Sequence, residues 1–476
     1  MGVIFRDKMD FMYRRVLVVL AIILIGKPGT GQEIGERLAK AFQQFQNDSQ
    51  AKHALVSLYV IDGSTGNVVF DRNADIGMAP ASTQKIITST AAYELLCRYY
   101  RYKTELGYQG ILNKGQLEGA LVIKGSGDPT LGSWRWKQTS EDSVILRMQY
   151  AVKSSGIKSY SILYSDTTGW NDETIPGGWV WEDIGNYYGA GALSMNWREN
   201  QYDLILKSGN RIGDPVQIVG TKPELNNYPI ISFVTAAAKG TGDNTIIYFP
   251  VNGSSGIVRG TIPVDESHFV VSGALPSGSG QFLNTLKNAL AAKGIMQLSG
   301  IKIGVEQISK KPFFPLYSEQ SPPLDSIIYW FLKKSINLYG EALAKTIAHE
   351  KGMEATTENG VELIKKFWKS KGIEETELNM HDGSGLSPLN RVTTRAQVKV
   401  LQYAQSQPWF DGFYLALPEY NGIKMKSGTI SSVKGFCGYQ KSKDGHQYIF
   451  SFLVNNYNGS SSAIVQKMYR VLNELK

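Results

Sequence analysis

Two residues three positions apart, Ser82 and Lys85, form the pattern of a nucleophile and its base. Pro80 suits a turn that opens a helix, and the apolar residues after Lys85 recur at helical spacing. Residues three apart on a helix share a face, so the two side chains should meet. A desolvated lysine near another cation has a lowered pKa and can take the proton of a serine hydroxyl. S-x-x-K alone is a weak signal, because an N-cap serine with a solvated lysine spells the same pattern.

Two later motifs carry groups that such a pair needs. Ser335-Ile336-Asn337 lies between two segments of helical periodicity and offers a second hydroxyl and an amide. Lys426-Ser427-Gly428-Thr429 lies on a predicted strand. Its lysine offers a positive charge, its glycine lets the backbone of a ligand approach, and Thr429 offers a hydroxyl and a backbone N–H. The order S-x-x-K, S-x-N, K-[ST]-G is a set used for acyl transfer through a serine.

The hydrophobic periodicity of the sequence predicts the helices and strands that must position these motifs. Before the S-x-x-K helix come an amphipathic lead-in at 34–45 and a strand pair at 54–62 and 67–70. Short strands punctuated by glycine follow from about residue 102 to 265 and are typical of mainly-β inserts. The later predicted elements are three helices, three strands and a last helix: 282–290, 325–332, 341–350, 424–429, 433–440, 447–455 and 461–474.

This order of elements predicts an α+β fold, an antiparallel sheet with helices on both faces and with inserted mainly-β domains. The predicted divisions are a signal peptide at 1–31, a first catalytic part at 32–103, the inserted domains at 104–265 and a second catalytic part at 266–476. We expect the insert to serve the choice of substrate and to be dispensable for the chemistry.

The N-terminus has the pattern of a secretory signal. Arg14 and Arg15 precede an apolar run at 16–25 that is short for a transmembrane helix. Cleavage is expected near Gly31, and an uncleaved anchor is the alternative. The sequence therefore predicts export by a Sec-type signal to the periplasm.

The amino-acid composition limits the kinds of binding partner and cofactor that we expect. The formal net charge is +8, but no run of lysine or arginine indicates nucleic acid. The charge favours anionic surroundings such as cell-wall polymer, and peripheral membrane association is compatible with it. Neither the five histidines nor the two cysteines have metal-ligand spacing, so no metal or other cofactor is expected. Cys97 and Cys437 are expected to be buried, with their pairing left open.

On these motifs the chain resembles the low-molecular-mass class C penicillin-binding proteins, the D-alanyl-D-alanine carboxypeptidase/endopeptidase (peptidase S13) family. Ser82 and Ser335 are 253 positions apart, an interval in which that family carries two inserted domains. Further matches are G-D-P-T-L at 127–131, Y-G-A at 188–190, A-L-S at 192–194, S-P-P-L at 321–324 and D-G-S-G-L-S at 382–387. Pro388 stands where the family usually has arginine, and Ser427 where threonine is commoner.

The resemblance implies a role for each motif residue. The implied catalytic residues are Ser82, Lys85 and Ser335, and the implied substrate-binding residues are Asn337, Lys426, Ser427, Gly428 and Thr429. Ser82 would attack the carbonyl of a D-Ala-D-Ala bond with Lys85 as general base, and Ser335 would pass the proton to the leaving amine.

The same resemblance implies how the substrate is held. Asn337 would hold its amide, and Lys426 and Thr429 would receive its terminal carboxylate. Backbone N–H groups of Ser82 and Thr429 would form the oxyanion hole. The implied partners are peptidoglycan peptides and β-lactams.

Three alternatives compete with this interpretation. Glu375-Thr376-Glu377-Leu378-Asn379 spells the E-x-x-L-N of class A β-lactamases, but a surface loop is the favoured explanation, because the 253-position interval has no place in that class. His381 beside Asp382 could belong to a Ser-His-Asp triad, but no G-x-S-x-G elbow accompanies it. The third possibility is a catalytically silent cell-wall-binding protein, against which the complete motif set argues.

Overall fold

The computed structural model describes residues 30–171, 173–225, 227–304 and 312–476. The predicted signal peptide lies outside these ranges except for its last two positions, which begin the first helix. No helix within the described ranges combines the length and the apolar character needed to cross a bilayer.

The strands of the described residues follow one another along the whole chain. In order they are β1 (Leu55–Asp62), β2 (Val68–Arg72), β3 (Lys103–Asn113), β4 (Gln116–Lys124), β5 (Ser159–Asp166), β6 (Gln201–Lys207), β7 (Gln217–Lys222), β8 (Ile230–Ala237), β9 (Asn244–Tyr248), β10 (Gly256–Pro263), β11 (Phe269–Ala274), β12 (Met296–Gln297), β13 (Ile301–Gly304), β14 (Phe314–Gln320), β15 (Leu378–Asn379), β16 (Arg391–Val392), β17 (Glu419–Tyr420), β18 (Ile423–Ile430), β19 (Val433–Lys441) and β20 (Gln447–Asn455).

The α-helices of the described residues are concentrated at the two ends of the chain. In order they are α1 (Thr30–Gln46), α2 (Lys85–Leu96), α3 (Glu141–Ser154), α4 (Trp181–Ile184), α5 (Gly278–Ala291), α6 (Leu324–Lys334), α7 (Asn337–Glu350), α8 (Thr357–Ser370), α9 (Thr394–Gln405), α10 (Phe410–Ala416) and α11 (Ser461–Leu472).

The catalytic part is built on a six-stranded sheet in the order β17-β18-β19-β20-β1-β2, with every neighbouring pair antiparallel. Successive strand residues face opposite sides, so Val60 and Ile61 enter different hydrophobic cores. The helices α1 and α11 cover the side of Val60, and α2, α7 and α9 cover the side of Ile61. This confirms the predicted α+β fold, an antiparallel sheet with helices on both faces.

The insert contains two units. The first is a sheet in the order β12-β5-β4-β3-β14, with β13 also on β5, and its core includes Met148 of α3 and Phe282 of α5. Because β5 pairs in parallel with β4, β12 and β13 while β3 pairs antiparallel with β4 and β14, this sheet is mixed, and α3 and α5 pack on it. The second unit is mainly β: two three-stranded sheets, β8-β10-β9 and β11-β6-β7, enclose one core.

The predicted end of the insert at residue 265 falls too early. Strand β11 pairs with β6, α5 belongs to the core of the mixed sheet, and β14 pairs with β3. The chain returns to the catalytic part only after Gln320, whose register partner is Lys103 at the start of β3. Helical periodicity at 282–290 predicted a helix correctly, but periodicity does not say which core a helix joins.

The two cysteines differ in environment. Both thiols are free, Cys437 being buried and Cys97 exposed. The expectation that both are buried is therefore wrong for Cys97, which follows α2 with a φ of 66° and ends that helix at the surface.

Candidate active site

Ser82 lies at an abrupt turn between β2 and α2. A short 3-10 turn covers residues 81–84, and α2 begins at Lys85, so Ser82 precedes the α-helix by one turn. Ala81 has a φ of 47°, a conformation that non-glycine residues adopt rarely and mostly where the surroundings enforce it. The backbone N–H and the hydroxyl of Thr83 both donate to the carbonyl oxygen of Pro80, at 3.2 and 2.6 Å. Hydrogen bonds within the turn thus stabilise it.

Lys85 lies beneath Ser82 and is fully buried. Its Nζ is 3.0 Å from Ser82 Oγ, 2.6 Å from Asn337 Oδ1 and 2.6 Å from the carbonyl oxygen of Ser384. Burial, followed by the positive charge of Lys426, holds the pKa of Lys85 well below its ordinary range. The amine is therefore neutral at a lower pH than an exposed lysine would be.

The three hydrogen-bond partners of Lys85 determine where the lone pair of its neutral amine points. A neutral amine has two N–H groups, and the amide oxygen of Asn337 and the carbonyl oxygen of Ser384 can only accept hydrogen bonds. The hydroxyl of Ser82 is the partner that can donate. The geometry therefore directs the lone pair of Lys85 at the Ser82 proton, as a general base requires.

The S-x-N motif occupies the connection between α6 and α7. Ser335 ends α6 in a left-handed conformation with a φ of 57°, which turns its hydroxyl toward the sheet. Lys426 Nζ donates to Ser335 Oγ at 3.0 Å and to the carbonyl oxygen of Ser427 at 2.8 Å. Burial lowers the pKa of Lys426 to about 7. The second hydroxyl of the site thus lies beside Lys426.

Asn337 links the catalytic part to the insert. Its Oδ1 accepts from Lys85, and its Nδ2 donates to the backbone oxygen of Tyr188 at 2.8 Å. One N–H and one lone pair of this amide are left for a ligand. The insert thus supplies a partner to a motif residue, and the expectation that it is dispensable for the chemistry stays a prediction.

Strand β18 passes close to the nucleophile turn because Gly428 has no side chain. A Cβ at this position would lie 2.5 Å from the oxygen of Pro80 and 3.0 Å from the nitrogen of Ser82. The sequence predicted that this glycine admits a ligand backbone, but the backbone that it admits is the protein's own. Thr429, two positions after Ser427, lines the cavity, and Lys434 Nζ lies 2.6 Å from its hydroxyl.

Ser427 is a predicted binding residue that is absent from the cavity lining. Its hydroxyl lies 3.4 Å from that of Tyr420, and its register partner Phe436 belongs to the core under α1 and α11. Ser427 and Thr429 are two positions apart on β18 and share a face of the strand. That the Ser427 side chain binds substrate therefore stays a prediction, and its backbone carbonyl accepts a hydrogen bond from Lys426.

The loop at 382–390 supports Lys85 from behind. The buried carboxylate of Asp382 accepts hydrogen bonds from five groups, which are Gln84 Nε2, Trp179 Nε1, Asn390 Nδ2 and the backbone N–H groups of Gly385 and Ser387. Their distances are between 2.6 and 3.0 Å. This network fixes the loop whose Ser384 carbonyl holds Lys85, and Trp179 ties it to the insert.

A second buried carboxyl, Glu341, lies one turn after Asn337 on α7. Its Oε2 accepts from the backbone N–H of Gly383 at 3.1 Å. Burial and the neighbouring Asp382 carboxylate raise the pKa of Glu341 to about 8. Sequence reasoning missed Glu341, although its i, i+4 spacing from Asn337 places both on one helix face and was a usable signal.

A cavity of about 840 Å³ opens above these residues. Ser82, Ser335, Asn337 and Thr429 line it from the catalytic part. The insert contributes the other wall, which includes Arg135, Val180, Glu182, Asp183, Tyr187 and Tyr188. The hydrogen bonds and the cavity lining thus bring the predicted motif residues together, while the Ser427 side chain contacts Tyr420 outside the lining. Apart from Tyr188, the insert residues of the lining lie in none of the sequence motifs.

The competing candidates lie apart from this cavity. Glu375 Oε1 forms a surface ion pair with Lys369 Nζ at 3.3 Å and is not among the described residues that line the cavity. His381 is exposed and lies outside the lining as well. Glu375 of the E-x-x-L-N pattern therefore lies in a surface turn before β15, and neither residue shares the cavity lining with Ser82. No group of three potential metal ligands occurs within the described ranges.

Comparisons with known proteins agree with this site. The profile of the D-Ala-D-Ala carboxypeptidase 3 (S13) family matches residues 38–419. The chain is 24% identical to a D-alanyl-D-alanine carboxypeptidase of Actinomadura sp. (strain R39), over 94% of this chain and 87% of that protein. It is also 24% identical to the D-alanyl-D-alanine carboxypeptidase DacB of Haemophilus influenzae, over 82% and 83% of the two chains.

Solved structures show the same fold. The crystal structure of penicillin binding protein 4 (dacB) from Haemophilus influenzae has a TM-score of 0.77 at 20% identity and covers 92% of this chain and 98% of that one. The structure of that protein complexed with a novel beta-lactam has a TM-score of 0.72 and the same coverage. The family profile spans the S-x-x-K and S-x-N motifs. This chain is a serine-type peptidase, and it belongs to the D-Ala-D-Ala carboxypeptidase 3 (S13) family.

Proposed function

We propose that this peptidase cleaves cell-wall peptides ending in D-Ala-D-Ala through an ester on Ser82, and that penicillins form a long-lived ester at the same atom. The observation that carries the proposal is the buried amine of Lys85, 3.0 Å from Ser82 Oγ, with both of its N–H groups assigned to acceptors. A serine hydroxyl becomes a useful nucleophile only beside such a base.

Each proton and bond has a place in this scheme. Lys85 takes the proton of Ser82 as Oγ attacks the carbonyl carbon of the penultimate D-alanine. The C–N bond then breaks, and the leaving amine receives a proton through Ser335. Water hydrolyses the resulting ester and restores Ser82. Backbone N–H groups beside Ser82 and Thr429 would stabilise the oxyanion of both steps.

The terminal carboxylate would lie near Lys426 and Thr429. Lys434 adds a third group here, because its Nζ lies 2.6 Å from Thr429 Oγ1 and places a second positive charge by that hydroxyl. A carboxylate that accepts from charged donors gains roughly 1.5–3 kcal/mol per bond. This arrangement favours a substrate with a free C-terminus.

The place of action would be outside the cytoplasm. The basic residues and the apolar run at 16–25 support export to the periplasm, where peptidoglycan stem peptides are the substrate. N-terminal sequencing of the processed protein should begin near residues 27 to 33. Recovery of the intact N-terminus in a cytoplasmic fraction would contradict export.

The test is intact-mass spectrometry after incubation with penicillin. The wild-type protein should carry one lasting adduct that maps to the Ser82 peptide, and Ser82→Ala should carry none. Lys85→Ala should lower the rate of adduct formation by about 10²- to 10⁴-fold, the usual contribution of a general base.

Glu375→Ala is the matched control, because Glu375 lies in a surface ion pair outside the cavity. It should leave adduct formation and lifetime unchanged. Rapid turnover of penicillin without an adduct, abolished by Glu375→Ala, would instead identify a β-lactamase. Product analysis on muropeptides separates the two peptidase activities: free D-alanine reports carboxypeptidase action, and resolved cross-links report endopeptidase action.

A further inference from the structure

Arg135 presents a guanidinium group to the active-site cavity from the insert. It lines the cavity together with Ser82, and its side chain is 15% exposed. Its Nε and Nη2 donate to the two carboxylate oxygens of Glu199 at 2.7 and 3.0 Å. Its Nη1 makes no hydrogen bond with a described residue. One edge of the guanidinium is therefore fixed, and the remaining donors are available to a ligand.

Glu199 is built to hold this arginine in place. Its side chain is fully buried, and besides Arg135 it accepts hydrogen bonds from Ser133 Oγ at 2.7 Å and Tyr339 OH at 2.8 Å. Tyr339 belongs to α7, which also carries Asn337. The carboxylate thus connects the insert to the helix of the S-x-N motif. Burial lowers the pKa of Arg135, but its bonds to Glu199 outweigh this, so the guanidinium keeps its charge.

The backbone around Glu199 is strained in order to reach this position. Arg198, Glu199 and Asn200 have φ values of 54°, 53° and 50°, three consecutive left-handed residues without a glycine. The side chain of Asn200 stabilises the turn through the backbone of Trp197 at 2.9 Å and of Gly191 at 2.9 Å. Strain of this kind costs about 1–3 kcal/mol per residue and is concentrated at ligand-binding and catalytic sites. An arginine needed only as a surface charge would not require it.

Arg135 packs against α6, the helix that ends at the S-x-N motif. Its guanidinium carbon is 5.1 Å from the ring centre of Trp330, and Trp330 lies on α6 five positions before Ser335. A stacked guanidinium is oriented as well as charged. Lys334 is the last residue of α6, is exposed, and lines the same cavity. The remaining charged residues of the lining, Glu182 and Asp183, both lie on α4.

We propose that Arg135 binds a second carboxylate of the substrate, separate from the C-terminal carboxylate at Lys426. The inference rests on the proposed function and specifies its substrate class: an acidic peptide with at least one further carboxylate near the scissile bond. This carboxylate belongs either to the acyl part or to the leaving group. Its chemistry is the same in both cases, and a planar guanidinium with free N–H donors is suited to it.

The test compares two pairs of peptides. In the acyl pair, glutamate or glutamine stands directly before D-Ala-D-Ala. In the leaving-group pair, the last residue is D-glutamate or D-glutamine. The wild-type enzyme should prefer the acidic member of one pair by about tenfold or more in kcat/KM, mainly through KM, as one charge-assisted hydrogen bond provides. The pair that shows the preference identifies the part of the substrate.

The variant is Arg135→Gln with Glu199→Gln, because removal of the arginine alone would leave Glu199 buried and unpaired. The double variant should bring the ratio of kcat/KM between acidic and amidated peptides close to one. The matched control is Arg147→Gln with Glu319→Gln, an ion pair of 2.7 Å with a buried glutamate that lies outside the cavity lining. This control should keep the wild-type ratio.

Two results would overturn the inference. One is a wild-type enzyme that shows no preference in either pair, and the other is a preference that survives in the Arg135/Glu199 double variant. Where a double variant folds poorly, the ratio measured on its folded fraction decides, since both peptides meet the same enzyme concentration. Penicillin adduct formation at Ser82 of the wild-type protein tests the proposed function separately.

Discussion

Lys426 holds its proton less tightly than an exposed lysine because burial removes water from its ammonium group. Burial lowers its pKa to about 7, and burial followed by the charge of Lys426 holds the pKa of Lys85 well below its ordinary range. The proposed mechanism requires Lys85 to lose its proton at a lower pH than Lys426. The active form has a neutral Lys85 as base and a charged Lys426 for the carboxylate. Both conditions hold only between the two pKa values.

We therefore expect a bell-shaped dependence of kcat/KM on pH for an acylated D-Ala-D-Ala peptide. The rising limb reports deprotonation of Lys85, and the falling limb near pH 7 reports deprotonation of Lys426. In kcat the falling limb should move to higher pH, because a bound carboxylate raises the pKa of Lys426. Lys426→Arg should remove the falling limb, since arginine stays charged.

A substitution at Lys434 tests independently whether the falling limb reports Lys426. Its charge lowers the pKa of Lys426, so Lys434→Gln should move the falling limb to higher pH while leaving the rising limb in place. A falling limb that is unchanged in both Lys426→Arg and Lys434→Gln would contradict the assignment to Lys426.

At the scale of elements, the site depends on how closely β18 approaches the turn before α2. Gly428→Ala places a methyl group 2.5 Å from the oxygen of Pro80 and 2.9 Å from the nitrogen of Thr83. Both are backbone atoms, so β18 and the turn must move apart. A displacement of about 1 Å in a catalytic group can cost about 10²-fold in rate. We expect a loss of this size in the rate of acylation by a fluorescent penicillin.

Gly220→Ala is the matched control for this substitution. Gly220 also lies in a strand, β7, but a Cβ there would meet nothing within 4 Å. Acylation by the Gly220 variant should match the wild type. An unchanged acylation rate in the folded Gly428 variant would show that β18 can retreat without moving Lys426 or Ser82.

At the scale of the whole molecule, the insert leaves and rejoins the catalytic part at one place. Lys103 and Gln320 are register partners in neighbouring antiparallel strands, so their Cα atoms are about 5 Å apart. A short glycine linker can replace the residues between them. We expect the shortened protein to lose at least about 10²-fold in acylation rate, because Asn337 loses the Tyr188 carbonyl and Asp382 loses the Trp179 indole.

The full-length variant Trp179→Phe separates this effect from a failure to fold. It removes one hydrogen bond to Asp382 and keeps an aromatic ring, at a cost of about 1–3 kcal/mol for the bond to a charged group. Its acylation rate should fall between those of the wild type and the shortened protein. Wild-type rates in both proteins would mean that the insert serves substrate choice alone, as the sequence had predicted.

The sequence by itself determined the chemistry and the fold class. Ser82 and Lys85 meet because helical geometry brings residues three apart to one face, and Lys426 faces the site because a strand alternates. Both contacts follow from local spacing along the chain. The order of the three motifs then indicated which chemistry these residues perform. The antiparallel sheet with helices on both faces followed in the same way, from periods that a reader can count in the chain.

Tertiary structure decided what local periodicity does not contain. The helix at 282–290 joined the insert because its apolar face fits the mixed sheet. Arg135 gained a place in the lining of the active-site cavity through Glu199, which is 64 positions away in sequence. Such partners are chosen by burial and charge across the folded chain, and their spacing in sequence is arbitrary.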